Sequence, residues 1–229
     1  MRIKLTAFFA MLAVTVFSCS KLDVVGNDSV RAFDEILQNL PWYFAVNIDD
    51  LYGGWRIIAP DDSARFVWEK NFKEKSIYDV YLEFDAIPFH NAGFDLSKLS
   101  DDHENYFRYL DGTALVGTKL WTEPLQYDGE ATPLATYKQI VKLKRGSIGY
   151  HGQMDHYGIS LGNGNMFEWA KDLTTNDKDI VFVLNPEPFI AAGLDPNRVE
   201  GWVYAKVTVD DENGKPIQVD RLLKPFNLK

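Results

Sequence analysis

The chain has 229 residues, enough for one large hydrophobic core or two small ones. Hydrophobic residues make up 46% of the chain and aromatic residues 14%, which excludes an intrinsically disordered protein. The formal net charge of −9 argues against a nucleic-acid partner and against adsorption to anionic lipid head groups.

The amino terminus has the pattern of an export signal. Arg2 and Lys4 precede a mostly apolar run over residues 5–17. At a helical rise of about 1.5 Å per residue this run spans roughly 20 Å, whereas the hydrocarbon core of a bilayer is about 30 Å thick. We therefore interpret residues 1–18 as a signal peptide that is removed, rather than as a permanent transmembrane helix.

Cys19, the only cysteine of the chain, directly follows this run, so packing must stabilise the protein without an intrachain disulfide. Residues 16–19 read Val-Phe-Ser-Cys and resemble the lipobox of bacterial lipoproteins, although Phe17 is uncommon at its position. The resemblance implies that Cys19 is the lipid-anchored first residue of the mature protein and that residues 19–27 form the anchor and tether. It also implies a membrane-anchored place in the cell envelope, and Ser20 implies the outer membrane if the organism has one.

Residues 28–229 form the predicted globular region, which starts with a helix over Asp28–Leu40. Asp28 or Ser29 is available as the N-cap, and Pro41 ends the segment. The apolar stripe of this helix consists of Val30, Phe33, Ile36, Leu37 and Leu40.

Most of the remaining sequence predicts strands and turns. Tyr78–Ala86 alternates between apolar and polar residues, as a half-buried strand does, whereas Ile180–Leu184 is apolar throughout, which is typical of a strand covered on both faces. Asp111-Gly112 and Gly162-Asn163-Gly164 each separate two strand-like runs and predict two hairpins. A third hairpin is predicted over residues 202–219.

The chain contains an internal similarity, in which residues 79–99 align without a gap with residues 179–199. Both segments predict a strand, a helical turn that starts at proline, a glycine in the left-handed conformation, and an aspartate that caps the next turn. Upstream, a Phe-x-Trp-x-Lys motif recurs at Phe66 and Phe167, and we align Tyr52-Gly53 with Tyr157-Gly158. The identical pairs are Asp79 and Asp179, Pro88 and Pro188, Phe89 and Phe189, Ala92 and Ala192, Gly93 and Gly193, and Asp95 and Asp195.

This similarity predicts an internal duplication over about residues 42–125 and 140–229. The predicted fold class is mainly β with a few short helices (α+β), arranged as two tandem similar halves of about 100 residues after an N-terminal helix. The sequence leaves open whether the halves form one sheet system or two lobes.

The densest group of possible ligands lies between residues 150 and 156. His151, Met154 and His156 offer two imidazoles and a thioether, a set that suits copper in an exported protein. In an extended strand the two histidines would point to opposite faces, so only a curled loop lets them converge. We keep these three as candidate ligand-binding residues, favour polar loop contacts or cross-strand hydrogen bonds as the simpler interpretation, and predict neither a bound metal nor another cofactor.

Residues 155–164 resemble the histidine-bearing strand and turn of the NlpC/P60-like cysteine peptidases, in which a histidine opens an apolar strand that ends in Gly-x-Gly. The resemblance implies that His156 is a general base. Cys19 is taken by lipid, however, and no other cysteine can act as the nucleophile. Ser147 or Ser160 would have to replace it, without supporting spacing.

These patterns favour a lipid-anchored envelope protein that binds an unknown ligand or protein partner without catalysis. Trp202, Tyr204 and Lys206 share one face of a predicted strand, which suits either sugar stacking or ordinary packing. One alternative is a cell-wall peptide or glycan hydrolase, or an inactive relative of one, for which Glu83 and Asp85 offer neighbouring carboxylates. The other is a periplasmic metal-binding protein.

Replacing Cys19 with serine tests the predicted anchor. We expect the wild-type protein to incorporate labelled palmitate during growth and the Cys19→Ser protein to incorporate none, because serine lacks the thiol that would carry the lipid. Equal labelling of the two proteins would contradict the assignment.

Overall fold

The computed structural model describes residues 28–39, 46–47, 54–70, 72, 79–98, 108–110, 113–118, 132–143, 148–172 and 178–228. In chain order they form α1 (28–39), β1 (Val46–Asn47), β2 (Gly54–Ile58), β3 (Ala64–Glu69), β4 (Val80–Asp85), α2 (Ile87–Asn91), β5 (Arg108–Leu110), β6 (Thr113–Thr118), α3 (Pro133–Leu143), β7 (Ile148–His151), β8 (His156–Gly162), β9 (Asn165–Ala170), β10 (Ile180–Leu184), α4 (Glu187–Ala191), β11 (Val203–Asp210) and β12 (Pro216–Phe226). Short 3-10 turns follow α2 and α4 at Leu96–Lys98 and Pro196–Arg198. The predicted signal peptide, Cys19 and the tether lie outside the described residues.

The strands form two antiparallel sheets of six strands each. The order is β1-β2-β3-β4-β6-β5 in the first sheet and β7-β8-β9-β10-β12-β11 in the second, so every strand of the first sheet has a counterpart in the second. A longer helix precedes each sheet, and a short helix follows the fourth strand of each. The mainly β fold with two tandem similar halves is therefore confirmed. The repeated unit includes its own leading helix, because α3 precedes the second sheet as α1 precedes the first, and the sequence analysis did not predict α3.

The predicted strands and hairpins are present. Val80, Leu82 and Phe84 of β4 face the core, but Tyr81 on the other face is buried as well, so β4 is more enclosed than its alternation predicts. All residues of β10 are buried, as expected for a strand covered on both faces. The pairs β5 with β6, β8 with β9, and β11 with β12 are the three predicted hairpins. No helix in the described part of the chain is long and apolar enough to span a bilayer.

One part of the predicted alignment is wrong. Trp55 lies opposite Trp68 in the first sheet, and Tyr157 lies opposite Trp169 in the second. Because the Phe-x-Trp motif makes Trp68 and Trp169 equivalent, Tyr157 corresponds to Trp55 and not to Tyr52.

A single hydrophobic core joins the two halves. Phe66 and Phe167, the equivalent residues of β3 and β9, stack with ring centroids 3.9 Å apart and planes 7° apart. Phe33 of α1 and Tyr137 of α3 also stack, at 3.3 Å. The halves therefore share one core instead of forming two lobes, since the apolar face of each sheet is covered by residues of the other half.

Each half also satisfies a buried hydrogen-bond donor of the other. The indole N–H of Trp68 donates to Oγ1 of Thr136 in α3 at 2.9 Å, and the indole N–H of Trp169 donates to the carbonyl of Ser29 in α1 at 3.2 Å. Because a buried indole N–H needs an acceptor, this exchange ties each sheet to the helix of the opposite half.

Gly93 and Gly193 mark a very close approach of the two halves. Their φ angles are 97° and 95°, the left-handed conformation that the sequence predicts for both. A Cβ on Gly93 would lie 2.8 Å from the carbonyl oxygen of Gly193, and a Cβ on Gly193 would lie 3.0 Å from the carbonyl oxygen of Gly93. Only glycine leaves room for this contact.

The aspartates that follow these glycines connect the halves. Asp95 and Asp195 each accept a hydrogen bond from the backbone two residues later, which confirms their predicted capping role. Their own backbone N–H groups reach across, from Asp95 to the carbonyl of Ala192 at 3.0 Å and from Asp195 to the carbonyl of Ala92 at 2.7 Å. The two copies of the repeated segment are thus joined by reciprocal hydrogen bonds.

Alanine substitutions separate the cost of the positive φ angle from the cost of the contact. Gly214 also has a positive φ, 72°, but nothing lies within 4 Å of its missing Cβ. We expect Gly214→Ala to lower the free energy of unfolding by about 1 kcal/mol. Gly93→Ala and Gly193→Ala should each cost a further ~1–3 kcal/mol, because their Cβ atoms would meet backbone of the other half. Urea denaturation measures all three, and equal losses would contradict the tight contact.

Candidate functional site on the outer face of the second sheet

The faces that point away from the shared core, here called the outer faces, differ in polarity between the two sheets. On the first sheet, Arg56, Arg65 and Glu83 lie around the buried Val67. Arg65 and Glu83 form an ion pair at 2.7 Å. The first outer face therefore has charged residues around an apolar centre.

The second outer face has the reverse arrangement. Gly158, Met166 and Val183 occupy the three equivalent positions, and Glu168 takes the central one. Met166 stands where the first sheet has Arg65, and Val183 stands where it has Glu83, so two charged side chains become apolar. Gly158 stands where it has Arg56 and has no side chain at all. The second half therefore buries a carboxylate inside an apolar surround, which costs free energy unless something compensates it.

An extension of the hairpin of β11 and β12 covers this face. Strand β10 ends at Leu184, opposite Leu222, so residues 216–221 of β12 pair with β11 alone. We call residues 205–221 the arm. The arm bends over the outer face, as shown by the apolar cluster that its valines form with valines of β10. This cluster contains Val181, Val183, Val207 and Leu223, with Met154, Met166, Ala205, Val209 and Val219 packed against it.

The described residues of the first half include no such arm. Thr113 of β6 pairs both with Asp85 at the end of β4 and with Leu110 of β5. The turn between β5 and β6 therefore lies beside the end of β4, and this hairpin does not extend past the sheet. Within the part of the chain that the structure describes, the arm is therefore present in the second half alone.

Glu168 is the polar centre of the covered face. Its side chain is 1% exposed, and Oε1 lies 2.7 Å from Nδ1 of His151 at the end of β7. Both carboxylate oxygens are buried, and neither makes a hydrogen bond of good geometry with the described residues, so the contact between Oε1 and Nδ1 is an ion pair. The interaction with Glu168 raises the pKa of His151, because the carboxylate stabilises the protonated imidazole.

Gly158 provides the space that Glu168 occupies. It lies directly opposite Glu168 in the β8–β9 pair. A Cβ at Gly158 would come within 2.9 Å of both Cγ of Glu168 and Cε of Met166. A larger residue here would displace the two side chains that line the site.

Two further charged residues act on the pair from the arm. Asp210, at the end of β11, raises the pKa of His151 by its negative charge, and Arg221 of β12 lowers that pKa by its positive charge; both effects are smaller than that of Glu168. The guanidinium of Arg221 lies over the β8–β9 turn, where a Cβ on Gly164 would be 2.7 Å from Nη2. Arg221 therefore sits at the rim of the site.

The structure brings the candidate ligands His151 and His156 together but gives them different partners. Residues 152–155 form a turn, so the two histidines lie opposite each other in the β7–β8 hairpin and share a face. The ring nitrogens of His156 contact the carbonyls of Met154 and Lys178. The side chain of Met154 packs against the apolar cluster below the arm. His151 and Met154 thus border the site around Glu168, whereas the contacts of the His156 ring are with backbone carbonyls.

The resemblance to cysteine peptidases finds little support in these contacts. His156 is 2% exposed and both of its ring nitrogens face carbonyl oxygens. Ser160 accepts a hydrogen bond from the backbone N–H of Gly162 at 3.2 Å, and Ser147 lies outside the described residues. The described contacts thus give His156 no hydroxyl to deprotonate.

The neighbouring carboxylates of β4 have structural partners. Glu83 is paired with Arg65, and Asp85 accepts a hydrogen bond from the backbone N–H of Ile87 at 2.9 Å. Asp85 therefore holds the start of α2, and the two carboxylates do not form an acid and base pair.

The predicted aromatic face belongs to the core. Trp202 is 8% exposed and packs edge-on against Phe89 at 5.4 Å. Tyr204 packs against the same core, and Lys206 pairs with Asp220 on the surface at 3.0 Å. Ordinary packing accounts for this face.

No protein-family model, curated protein or solved structure matches the chain. No group of three or more His, Cys, Asp or Glu side chains within the described ranges could hold a metal ion. The candidate site around Glu168 is recognised from the differences between the two halves. No motif in the sequence pointed to Glu168 or Arg221, although the middle residue of the aligned Phe-x-Trp motif changes from Val67 to Glu168, which was a usable signal.

The pair of His151 and Glu168 predicts a pH dependence of stability. Because the pKa of His151 is raised above its unfolded value of about 6.5, the ion pair stabilises the fold fully below about pH 6.5 and loses its effect as the pH rises through the folded-state pKa. We expect Glu168→Gln to lower the pKa of His151 in an NMR titration and to weaken this pH dependence. Glu200→Gln, which changes an exposed carboxylate, is the matched control. An unchanged His151 titration in Glu168→Gln would contradict the pairing.

Proposed function

We propose that this is an exported, lipid-anchored envelope protein whose second half binds a small ligand, without catalysis, between the arm and the outer face of the second sheet. The first half contributes to the shared core. Cys19 and residues 19–27 would hold the globular region at the membrane.

The proposal rests on the coincidence of three differences between equivalent halves. Glu168 stands where the first half has Val67, Gly158 stands where it has Arg56, and the arm stands where it has a short hairpin. A buried carboxylate oxygen without a donor costs about 1–3 kcal/mol. The fold accommodates valine at this position in its first half, so the fold does not require a glutamate here, and a bound ligand would give this carboxylate the donor that it lacks.

The arm is suited to open and admit a ligand. Among the described residues, residues 216–221 pair with β11 and with no second strand, so the attachment of the arm to the sheet depends on side-chain packing. A hydrogen bond of 3.4 Å from the backbone N–H of Thr208 to Oε1 of Gln153 links it to the β7–β8 turn. Such weakly held elements open at low cost and often cover binding sites. Met154 and Met166 can adapt their side chains to ligands of different shape.

Binding suits the chemistry of this face better than catalysis does. His151 has a carboxylate partner, as a general base often has, but a hydrolase also needs a nucleophile or an activated water. The hydroxyl that β8 places on this face, Ser160, already accepts the N–H of Gly162. A buried ion pair in an apolar surround can still orient and hold a ligand.

The anchor follows from the amino-terminal sequence. Loss of Arg2 and Lys4 with the signal would change the formal charge from −9 to −11, so electrostatic adsorption to anionic lipid is unfavourable and the lipid on Cys19 has to hold the protein. The tether of residues 19–27 spans at most about 30 Å when extended. The globular region would therefore stay within reach of the membrane surface.

Methionine NMR tests the binding proposal, because Met154 and Met166 are the only methionines after residue 18 and both lie at the arm cluster. The chain from residue 19 onward with Cys19→Ser keeps every described residue. With ¹³C-methyl methionine in this protein, we expect at least one of hexanol, hexanoate and hexylammonium to shift both signals saturably.

Matched glycine variants locate the binding. Gly158→Ala should abolish the shifts, because its Cβ would crowd Glu168 and Met166. Gly149→Ala should bind normally, since Gly149 lies opposite Gly158 in β7 and has nothing within 4 Å of its missing Cβ. If no probe shifts the methionine signals, or if the two variants bind equally, the proposed site is wrong.

A further inference from the structure

Resting on the proposed function, we infer that the ligand is a small organic cation, an ammonium group on an apolar body, whose ammonium donates a hydrogen bond to Oε2 of Glu168. The apolar body lies against the valines and methionines between the arm and the second sheet.

The incomplete hydrogen bonding of the Glu168 carboxylate indicates that its partner in the ligand is a hydrogen-bond donor. Oε1 is in an ion pair with Nδ1 of His151 at 2.7 Å but makes no hydrogen bond of good geometry with the described residues, and Oε2 has no partner among them, although both oxygens are buried. A carboxylate oxygen only accepts hydrogen bonds, so the group that completes it must carry an N–H or O–H. An anionic ligand would instead be repelled by Glu168.

The surrounding charges favour a cationic donor over a neutral one. The groups that face the pair are His156 on β8, Asp210 at the end of β11 and Arg221 on β12, while β10 contributes Val181. Arg221 is the fixed positive charge among them. Glu187 and Glu168 both act on Arg221 electrostatically and offset its charge, and Asp210 adds a negative charge that acts on His151. A charge-assisted hydrogen bond in an apolar surround is also stronger than a neutral one.

The apolar cluster below the arm indicates that the part of the ligand beyond its ammonium group is apolar. Val181 is fully buried and Val183 is 2% exposed on the sheet side, and Val207 is 7% exposed on the arm side. The arm must lift to admit a ligand, and the surface that it uncovers is made of methyl groups and thioethers. An aliphatic chain restores the burial of this surface when the arm closes over it.

The position of His151 couples binding to proton release. An ammonium on Oε2 brings a second positive charge next to the imidazolium and weakens its interaction with Glu168, so the pKa of His151 falls and its proton leaves to solvent. Affinity for the cation should therefore fall as the pH drops through the range in which His151 becomes protonated. A neutral ligand of the same shape has no such effect.

Hexylammonium, hexanol and hexanoate distinguish the charge classes on one carbon skeleton. By calorimetry and methionine NMR, we expect hexylammonium to bind about tenfold or more tightly than hexanol, and hexanoate to bind most weakly. Glu168→Gln should bring hexylammonium and hexanol to within about threefold of each other. Glu200→Gln, at an exposed carboxylate, should keep the full preference.

Proton release tests the inference on the unmodified site, so the result does not depend on how well Glu168→Gln folds. Calorimetry in two buffers of different ionisation enthalpy should show proton release near neutral pH with hexylammonium and none with hexanol. Hexanol or hexanoate binding as tightly as hexylammonium would overturn the inference and leave the proposed function standing. Failure of all three probes to shift the methionine signals would overturn both.

Discussion

The contact between Gly93 and Gly193 determines how the two halves of the chain meet. Each glycine ends the short helix after the fourth strand of its sheet, and each carbonyl occupies the space that a Cβ on the other glycine would need. The backbone hydrogen bonds of Asp95 and Asp195 cross the same contact. Phe89 and Phe189, in the short helices that precede these glycines, pack against each other with ring centroids 5.5 Å apart, so the contact between the halves continues into the shared aromatic core.

The duplication could be predicted because this contact requires the same residues twice. A proline start, a left-handed glycine and a capping aspartate have few substitutes, so they remain recognisable in both segments. The leading helices require only burial of an apolar face. Phe33 of α1 is matched by Tyr137 of α3, and at the same offset only Ile36 and Ile140 are identical, so an alignment of identical residues does not detect the two helices. The helical spacing of Tyr137, Ile140 and Val141 was the available signal for α3.

The candidate site could be predicted only in part because its residues come from separate strands. His151 and Met154 stood out through their side-chain chemistry, and the sequence analysis paired them with His156, which is close in sequence. Glu168 belongs to β9, on the far side of β8 from β7. It reaches His151 across β8, where Gly158 carries no side chain to obstruct it. The strand order and the space above Gly158 arise only when the sheet forms, so no local pattern in the sequence predicts them.

The shared core explains how the second half can tolerate a costly outer face. A sheet that folded alone would depend on all its apolar surface, and a buried carboxylate with one unpaired oxygen would consume a large fraction of its stability. Here the inner faces of both sheets, with α1 and α3, form one core that does not involve Glu168. The cluster beneath the arm is separate from that core. The arm can therefore lift from the second sheet without exposing the residues that hold the two halves together.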